Sequence, residues 1–382
     1  MEYVRLKDIG QIITGNTPPT SKPEYYGDYM PFIKATDIPI GVKCTLVTEQ
    51  SYSKLAAEKY KKSLVPKGST CVVTIGSIGK KMTYAHTDLF VNQAINAIVP
   101  KDSYDNEYIF YNVRCSVLPQ LKKLDSGTTS GRENISKTSF SSIRIPVIKD
   151  KNVQRRIGVI LSTYDSLIEN NTKRIRLLEK MAENLYKEWF VCFRFPGYEK
   201  VEMENGLPKG WKVKRYEDEL NVKYGKGLPT NRLTEDGFPV FGSNGQIGFY
   251  TSYMYDTPQI LISCRGASSG VVNISLPKSF VTNNSLVCEL TDKTESVFEY
   301  LKYYFLNTNL VQYQTGSAQP QITINNVVKL KMLVPSHEVQ CAFSKKIRVI
   351  DKEVANLQNQ NSLLARQRDL LLPRLMSGKL EI

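Results

Sequence analysis

The stretch from Val153 to Phe190, "VQRRIGVILSTYDSLIENNTKRIRLLEKMAENLYKEWF", decides the fold. Positions 157, 161, 164, 168, 171, 175, 178, 182, 185 and 189 read Ile, Leu, Tyr, Ile, Asn, Ile, Leu, Ala, Leu and Trp. Steps of four and three alternate without a break, which is the 3.5-residue seam of a coiled coil. Asn171 stands where a Leu is expected. Adding 186 to each position gives Phe343, Ile347, Ile350, Val354, Leu357, Asn361, Leu364, Arg368, Leu371 and Leu375, a second seam within "VQCAFSKKIRVIDKEVANLQNQNSLLARQRDLLLPRLM". Pro373 predicts an end or kink near Leu372, with Leu375 outside the helix.

One such stripe alone fits an amphipathic helix on an ordinary core. Two matching seams predict helices that pair with each other. Antiparallel pairing sets Asn171 opposite Asn361, so that paired positions sum to 532, with Ile168 against Leu364 and Leu178 against Val354. A buried Asn lowers stability and fixes register, so Asn171 and Asn361 are the candidate register residues.

The rest of the chain is also written twice. "SGTTSGRENISKTSFSSIRIPV" (126–147) lies over "TGSAQPQITINNVVKLKMLVPS" (315–336) at an offset of 189, matching Gly127 to Gly316, Ile135 to Ile324 and Pro146 to Pro335. "CVVTIGSIG" (71–79) answers "ILISCRGASSG" (260–270), and "VNQAINAIVP" (91–100) answers "VTNNSLVCEL" (281–290). Short alternating runs, two short helices ("SYSKLAAEKYKK" and "SVFEYLKYYFLN") and many turn signals make the remainder α+β. The expected organisation is two similar α+β domains, 1–150 and 193–336, each followed by a helical region, 151–192 and 337–382. After the first helix, Pro196, Gly197, Gly206, Pro208 and Gly210 are expected to forbid regular structure.

Lys and Arg number 51 against 37 acidic residues, a formal charge of +14 that favours a polyanionic partner, nucleic acid before a membrane surface. The N-terminus lacks a signal pattern, and no apolar run approaches the ~18 residues of a membrane span, so a cytoplasmic protein is expected. Seven scattered Cys, never spaced C-x-x-C, indicate neither a disulfide framework nor a zinc site.

Catalytic signals fail one by one. "GNTPPT" (15–20) departs from the Asn-Pro-Pro-aromatic loop of amino-methyltransferases, since Thr17 and Thr20 replace the first Pro and the aromatic. "GSIGKK" (76–81) fails as a P-loop, with Thr74 in place of the first Gly and Lys81 in place of Ser or Thr. "FGSNGQIG" (241–248) lacks the strand-then-helix context of a nucleotide fold. No Asp-x-Lys or Glu-x-Lys triplet of restriction-type nucleases occurs, and the two His, His86 and His337, have no patterned partner. No catalytic residue and no metal ligand is assigned.

What the sequence supplies is binding chemistry. Gly-rich loops at equivalent places in both copies carry Lys and Arg for phosphates, and Arg, Asn and Gln for base edges. The candidate DNA-contacting residues are Asn16, Thr17, Thr20, Lys22, Lys34, Ser77, Lys80, Lys81, Arg132 and Asn134 in the first copy. In the second they are Lys226, Asn231, Arg232, Ser243, Asn244, Arg265, Ser268, Gln319 and Gln321.

These residues carry a resemblance. "VRLKDIGQIITGNTPPTSKPEYYGDYMPFIKATDI", "LVPKGSTCVVTIGSIGK", "GTTSGRENI" with "GSAQPQITI", the helix quoted above and the closing "RQRDLLLPRLMSGKLEI" resemble the specificity subunit of type I restriction-modification enzymes, in order and over nearly all 382 residues. The resemblance implies two target-recognition domains, each reading half of a bipartite asymmetric site on double-stranded DNA. It implies helical regions that pair antiparallel, set the gap and dock two modification (methyltransferase) subunits. Restriction subunits, ATP-dependent translocases and nucleases, complete the expected complex. Cofactors are expected in those partners, which use S-adenosylmethionine, ATP and Mg, and none in this chain. The helix from Ile157 to Trp189, 33 residues, would be a rod of about 48 Å, against about 34 Å for one turn of duplex. Between two copies of one partner, an internal repeat supplies near-twofold symmetry. Rival readings are a coiled-coil DNA-binding scaffold without sequence preference, and a self-contained methyltransferase or nuclease, which the missing motifs oppose.

Overall fold

The computed structural model describes residues 1–124, 133–316 and 319–380. Two compact units divide the chain, Met1–Lys173 with Leu357–Ile382, and Arg174–Asn356. The cuts fall inside the two long helices, Lys151–Tyr186 and His337–Met376. Each unit therefore holds one α+β domain and a stretch of both helices.

In the first unit a four-stranded antiparallel sheet runs in the order Gly10–Thr14, Ile95–Pro100, Thr70–Val73, Met82–Tyr84. The central run "TCVV" is buried throughout, and its side chains alternate between two cores. Val72, Ile12 and Ile98 face a core with Tyr108, Phe110, Phe140, Ile157 and Leu161. Cys71, Val73, Ile13 and Ala97 face a second core with Ile33, Val91 and Ile95. A smaller sheet orders Tyr26–Gly27, Gln50–Tyr52, Met30–Ile33 and Phe90–Val91, the last pair parallel. Glu2–Arg5 pairs with Arg144–Val147 and delivers the chain into the first long helix.

The second unit repeats the main sheet strand for strand, while its smaller sheet has three strands in place of four and, among the described residues, no helix answers Lys54–Lys59. Its sheet runs Leu220–Tyr224, Ser285–Leu290, Ile260–Ser263, Val272–Ile274, and its smaller sheet joins Gly245–Tyr250, Phe238–Gly242 and Phe280–Val281, again with a parallel last pair. Lys212–Arg215 pairs with Lys331–Val334. The strands superpose the two copies at 190 residues for 70–73 over 260–263, but at 187 for 144–147 over 331–334. The Pro146 to Pro335 match at 189 is therefore corrected. Pro146 lies within its strand, opposite Tyr3, and its structural counterpart is Leu333, opposite Val213. Likewise Ile135 answers Ile322 rather than Ile324, since each donates its amide N–H to the carbonyl closing the central strand, Thr74 at 2.9 Å and Cys264 at 3.0 Å.

Both seams face inward. Ile157, Leu161, Asn171 and Ala182 are buried on the first helix, with Trp189 on the π-helical turn Lys187–Val191 that follows it, and Phe343, Ile347, Ile350, Leu357, Arg368 and Leu375 on the second. In the first unit the helices run antiparallel. Asn171 donates its amide to Gln360 Oε1 and Asn361 donates to Thr172 Oγ1, both at 3.4 Å. Deeper along the same pair, buried Arg368 forms an ion pair with buried Asp165, so the odd cation of the second seam is neutralised. In the second unit Leu178, Leu185, Val354 and Ile347 join one core with Phe343, Tyr186 and Trp189, and Arg174 pairs with Glu353 at 2.9 Å. Glu299, on the helix Phe298–Leu306, accepts from Ser344 at 2.8 Å and Arg348 at 2.6 Å. Burial works against its charge, but these bonds win and hold its carboxyl below the usual range.

Three local expectations change. The second helix continues through Pro373 to Met376. Losing one N–H and pressing on the preceding turn costs ~3 kcal/mol, whereas burying a Leu or Met side chain gains about 1.5–3 kcal/mol, and Leu372, Leu375 and Met376 are all buried. The segment expected to be irregular holds a minute hairpin, Met203–Glu204 with Leu207–Pro208. Asn205 and Gly206 take positive φ, 52° and 80°, the geometry of an Asn-Gly turn. An eleven-residue helix, Asn106–Ser116, answers "SVFEYLKYYFLN" in the first copy and was not anticipated. Among the described residues no helix is long and apolar enough to cross a membrane.

Candidate nucleic-acid interface

Antiparallel neighbours bring the end of one strand beside the start of the next. Thr14 lies opposite Asn96, and Val73 opposite Ile95, so the loops after Thr14 and Val73 leave from one end of the sheet. Buried Asn96 clamps both. It accepts from Thr14 Oγ1 at 2.6 Å and donates to Thr74 Oγ1 at 2.8 Å. Gly15 donates to the Ile95 carbonyl at 3.1 Å, and Asn16 to the Val91 carbonyl at 3.0 Å. The backbones are so close that a Cβ on Gly15 would fall 2.2 Å from the carbonyl oxygens of Val91 and Asn92. Thr17 bonds the Gln93 side chain, and the Asn16 carbonyl accepts from the Tyr52 hydroxyl at 2.7 Å.

The loop bearing Ser77 and Lys80 is stapled to the segment before Ile135. Gly76 donates to the Glu133 carbonyl at 3.0 Å, and Ile75 bridges to Asn134. Lys34 reaches the same end because Asn92 donates to the Ile33 carbonyl at 3.0 Å. Asn16, Thr17, Lys34, Ser77 and Asn134 thus converge. Lys81 instead donates to the Ala35 carbonyl at 3.0 Å and ties two loops together. Thr20 and Lys22 lie further along their loop, exposed, with Lys22 5.7 Å from the Tyr25 ring centre. Arg132 lies outside the described residues.

The second copy builds the same end with other side chains. Gly225 donates to the Ser285 carbonyl at 3.1 Å and Lys226 to the Val281 carbonyl at 3.0 Å. A Cβ on Gly225 would fall 2.3 Å from the Thr282 oxygen. Arg265 bridges to Gln321, and Gly266 donates to the Pro320 carbonyl at 3.1 Å. Ser243 donates to the Asn284 carbonyl at 3.3 Å and accepts from the Ser263 hydroxyl through its own carbonyl. Asn244 is exposed beside it at the hairpin turn, and Gln319 is exposed next to the Gln321 segment. Ser268 closes the tight turn after Arg265, its carbonyl accepting from Val271 at 3.0 Å. Lys226, Ser243, Asn244, Arg265 and Gln321 converge. Asn231 and Arg232 do not: Arg232 bonds Tyr250 at 2.6 Å, at the opposite end of the hairpin from Asn244.

The charges at these ends differ in availability. Lys34 is neutralised by Glu49 at 2.8 Å. Lys80, Lys226 and Arg265 are exposed and have no carboxylate within ion-pair distance among the described residues. Such cations suit phosphate, and the neighbouring amides suit base edges. Burial pushes the Cys71 and Cys288 thiols up to about 12, so neither is a thiolate nucleophile at neutral pH. Asn96 and Gln93 were missed as site residues. "VNQAINAIVP" identified them only as part of the repeat, because a buried Asn at a strand start has no periodicity to betray it.

The family model described as the type I restriction modification DNA specificity domain matches residues 1–180 and again 208–365. The chain belongs to this family. Each match covers one α+β domain with most of the long helix that follows, so type I specificity is written here as two tandem copies. The type I restriction enzyme MjaIX specificity subunit of Methanocaldococcus jannaschii is 27% identical over 99% of this chain and 93% of that protein. The EcoprrI specificity subunit of Escherichia coli is 23% identical over 96% of this chain and 92% of its own. The crystal structure of a type I restriction-modification S subunit from M. genitalium superposes with a TM-score of 0.60 at 18% identity, covering 98% of this chain and 95% of that one, and shows the shared fold.

Proposed function

We propose that this chain is the DNA-specificity subunit of a type I restriction-modification complex, and that each α+β domain reads one half of a bipartite, asymmetric site. The observation that carries the reading is one scaffold bearing two sets of side chains. Equivalent loop ends present Asn16, Thr17, Ser77 and Asn134 in one copy, and Lys226, Asn244, Arg265 and Gln321 in the other. Because hydrogen-bond donors and acceptors on base edges are distinguished by side-chain type, the two half-sites differ in sequence. Exposed Lys80, Lys226 and Arg265 supply phosphate contacts, so affinity falls with salt.

In this reading the paired helices set the gap between half-sites and dock two modification subunits. Methyl transfer from S-adenosylmethionine and ATP- and Mg-dependent restriction belong to partner subunits, and this chain is not itself catalytic. Replacing residues 197–335 with the equivalent domain of a relative tests the assignment. The modified site is expected to change in one half only, and an unchanged site contradicts it. A scaffold without sequence preference would show no preferred bipartite duplex in competition binding.

A further inference from the structure

The two domain helices share a sequence motif outside the DNA-facing loops. "EYIFY" (107–111) and "EYLKY" (299–303) stand 192 residues apart, on helices Asn106–Ser116 and Phe298–Leu306. The long helices share another: Gln154 and Asp165 answer Gln340 and Asp351 at 186 residues. The structure joins the two motifs twice, in the same way.

At the first point, a fully buried Gln bridges the two helix starts. Gln154 accepts from the Asp105 amide at 2.9 Å and donates to the Ile148 carbonyl at 2.6 Å. Gln340 accepts from the Val297 amide at 2.9 Å and donates to the Pro335 carbonyl at 2.8 Å. At the second point, the last Tyr of the motif bonds the Asp eleven residues further along the long helix. Tyr111 donates to Asp165, and Tyr303 donates to Asp351 at 3.3 Å. Eleven residues are about three helical turns, or about 16 Å, so both contacts lie on one helix face. A single contact would leave a pivot, whereas two contacts so far apart fix the angle of the domain helix on the long helix.

The charge at the second point is supplied differently. Asp165 is closed off by Arg368 from the second long helix, and the group is buried. Asp351 is paired by Lys302 of the domain helix itself at 2.7 Å, and stays part exposed. Position 182, which answers Arg368 in the first helix, is Ala. The first joint is thus anchored to both long helices, and the second to one.

We infer that these duplicated two-point joints, Gln154 with Tyr111–Asp165–Arg368 and Gln340 with Tyr303–Asp351–Lys302, set the angle of each recognition domain and so determine the permitted gap between half-sites. The inference rests on the proposed function, and its residues are positioning residues that do not contact DNA. The test uses the full chain with its modification partner and duplexes carrying the native gap or a gap one base pair longer or shorter. Tyr111→Phe and Tyr303→Phe each remove one hydroxyl and keep the ring. The ratio of methylation at the native gap to that at the altered gaps is expected to fall about fivefold, the equivalent of one hydrogen bond. Asp351→Asn, at the part-exposed pair, provides the same reading if Tyr303→Phe does not fold. Loss of methylation in equal proportion at every gap, or an unchanged ratio, overturns the inference. A wild-type complex indifferent to the gap would instead overturn the functional reading beneath it, so the two failures are distinguishable.

Discussion

Asn171 and Asn361 are amides set into the otherwise largely apolar seams of the paired helices Lys151–Tyr186 and His337–Met376. The two amides do not meet; each passes the other to reach the neighbouring residue, Gln360 or Thr172, because facing side chains on antiparallel helices are offset along the axis. Among the described residues the Asn361 side-chain oxygen has no hydrogen-bond partner, so this polar layer gives up stability. We predict that Asn171→Leu leaves thermal stability unchanged or raises it by about 1 kcal/mol, and broadens the preferred gap in a binding series over spacer lengths. An unchanged gap preference would remove the register role assigned to Asn171. Arg368, by contrast, shows in the sequence only its neighbour Asp369, which it pairs at 3.0 Å, whereas its buried counterion Asp165 is distant in sequence and lies beside the seam rather than in it.

At the scale of elements, regular periodicity was legible and its absence was not. The long helices and the buried central strands follow from their spacing alone. The helix Asn106–Ser116 did not, because Tyr108 through Val113 are buried on every side and leave no stripe to read. Only its repeat partner gave it away. The loop ends of the candidate interface were legible as Gly-rich segments, but their convergence depends on strand order, which no local pattern specifies. The close crossing at Gly225 is where this convergence is most exposed to change. A Cβ there would overlap the Thr282 and Val281 carbonyls at 2.3 and 2.4 Å, and backbone has no rotamer with which to yield. Gly225→Ala is expected to cost ~2 kcal/mol or more, lowering the melting temperature by about 4–8 °C and weakening recognition of one half-site while the other is still discriminated. Wild-type stability in a thermal melt would show that the crossing tolerates a side chain.

For the whole molecule, the decisive feature is duplication. Offsets of 190, 187 and 186 residues relate strands, connections and long helices, and the family model matches once over each copy. One chain therefore carries two versions of one scaffold whose loop residues at the candidate interface differ, while the Gln and Tyr–Asp contacts of the joints recur and only the cation changes, Arg368 in one and Lys302 in the other. The sequence carried the duplication and the chemistry of the loops, whereas the strand order that gathers those loops at one end of each sheet is set by long-range pairing that no local pattern encodes. Long-read sequencing of methylated DNA from cells carrying this chain with its modification subunit tests the account most directly. The expected result is a single methylated motif of two unlike halves separated by a fixed gap. A contiguous motif, two identical halves or methylation without a motif would contradict it.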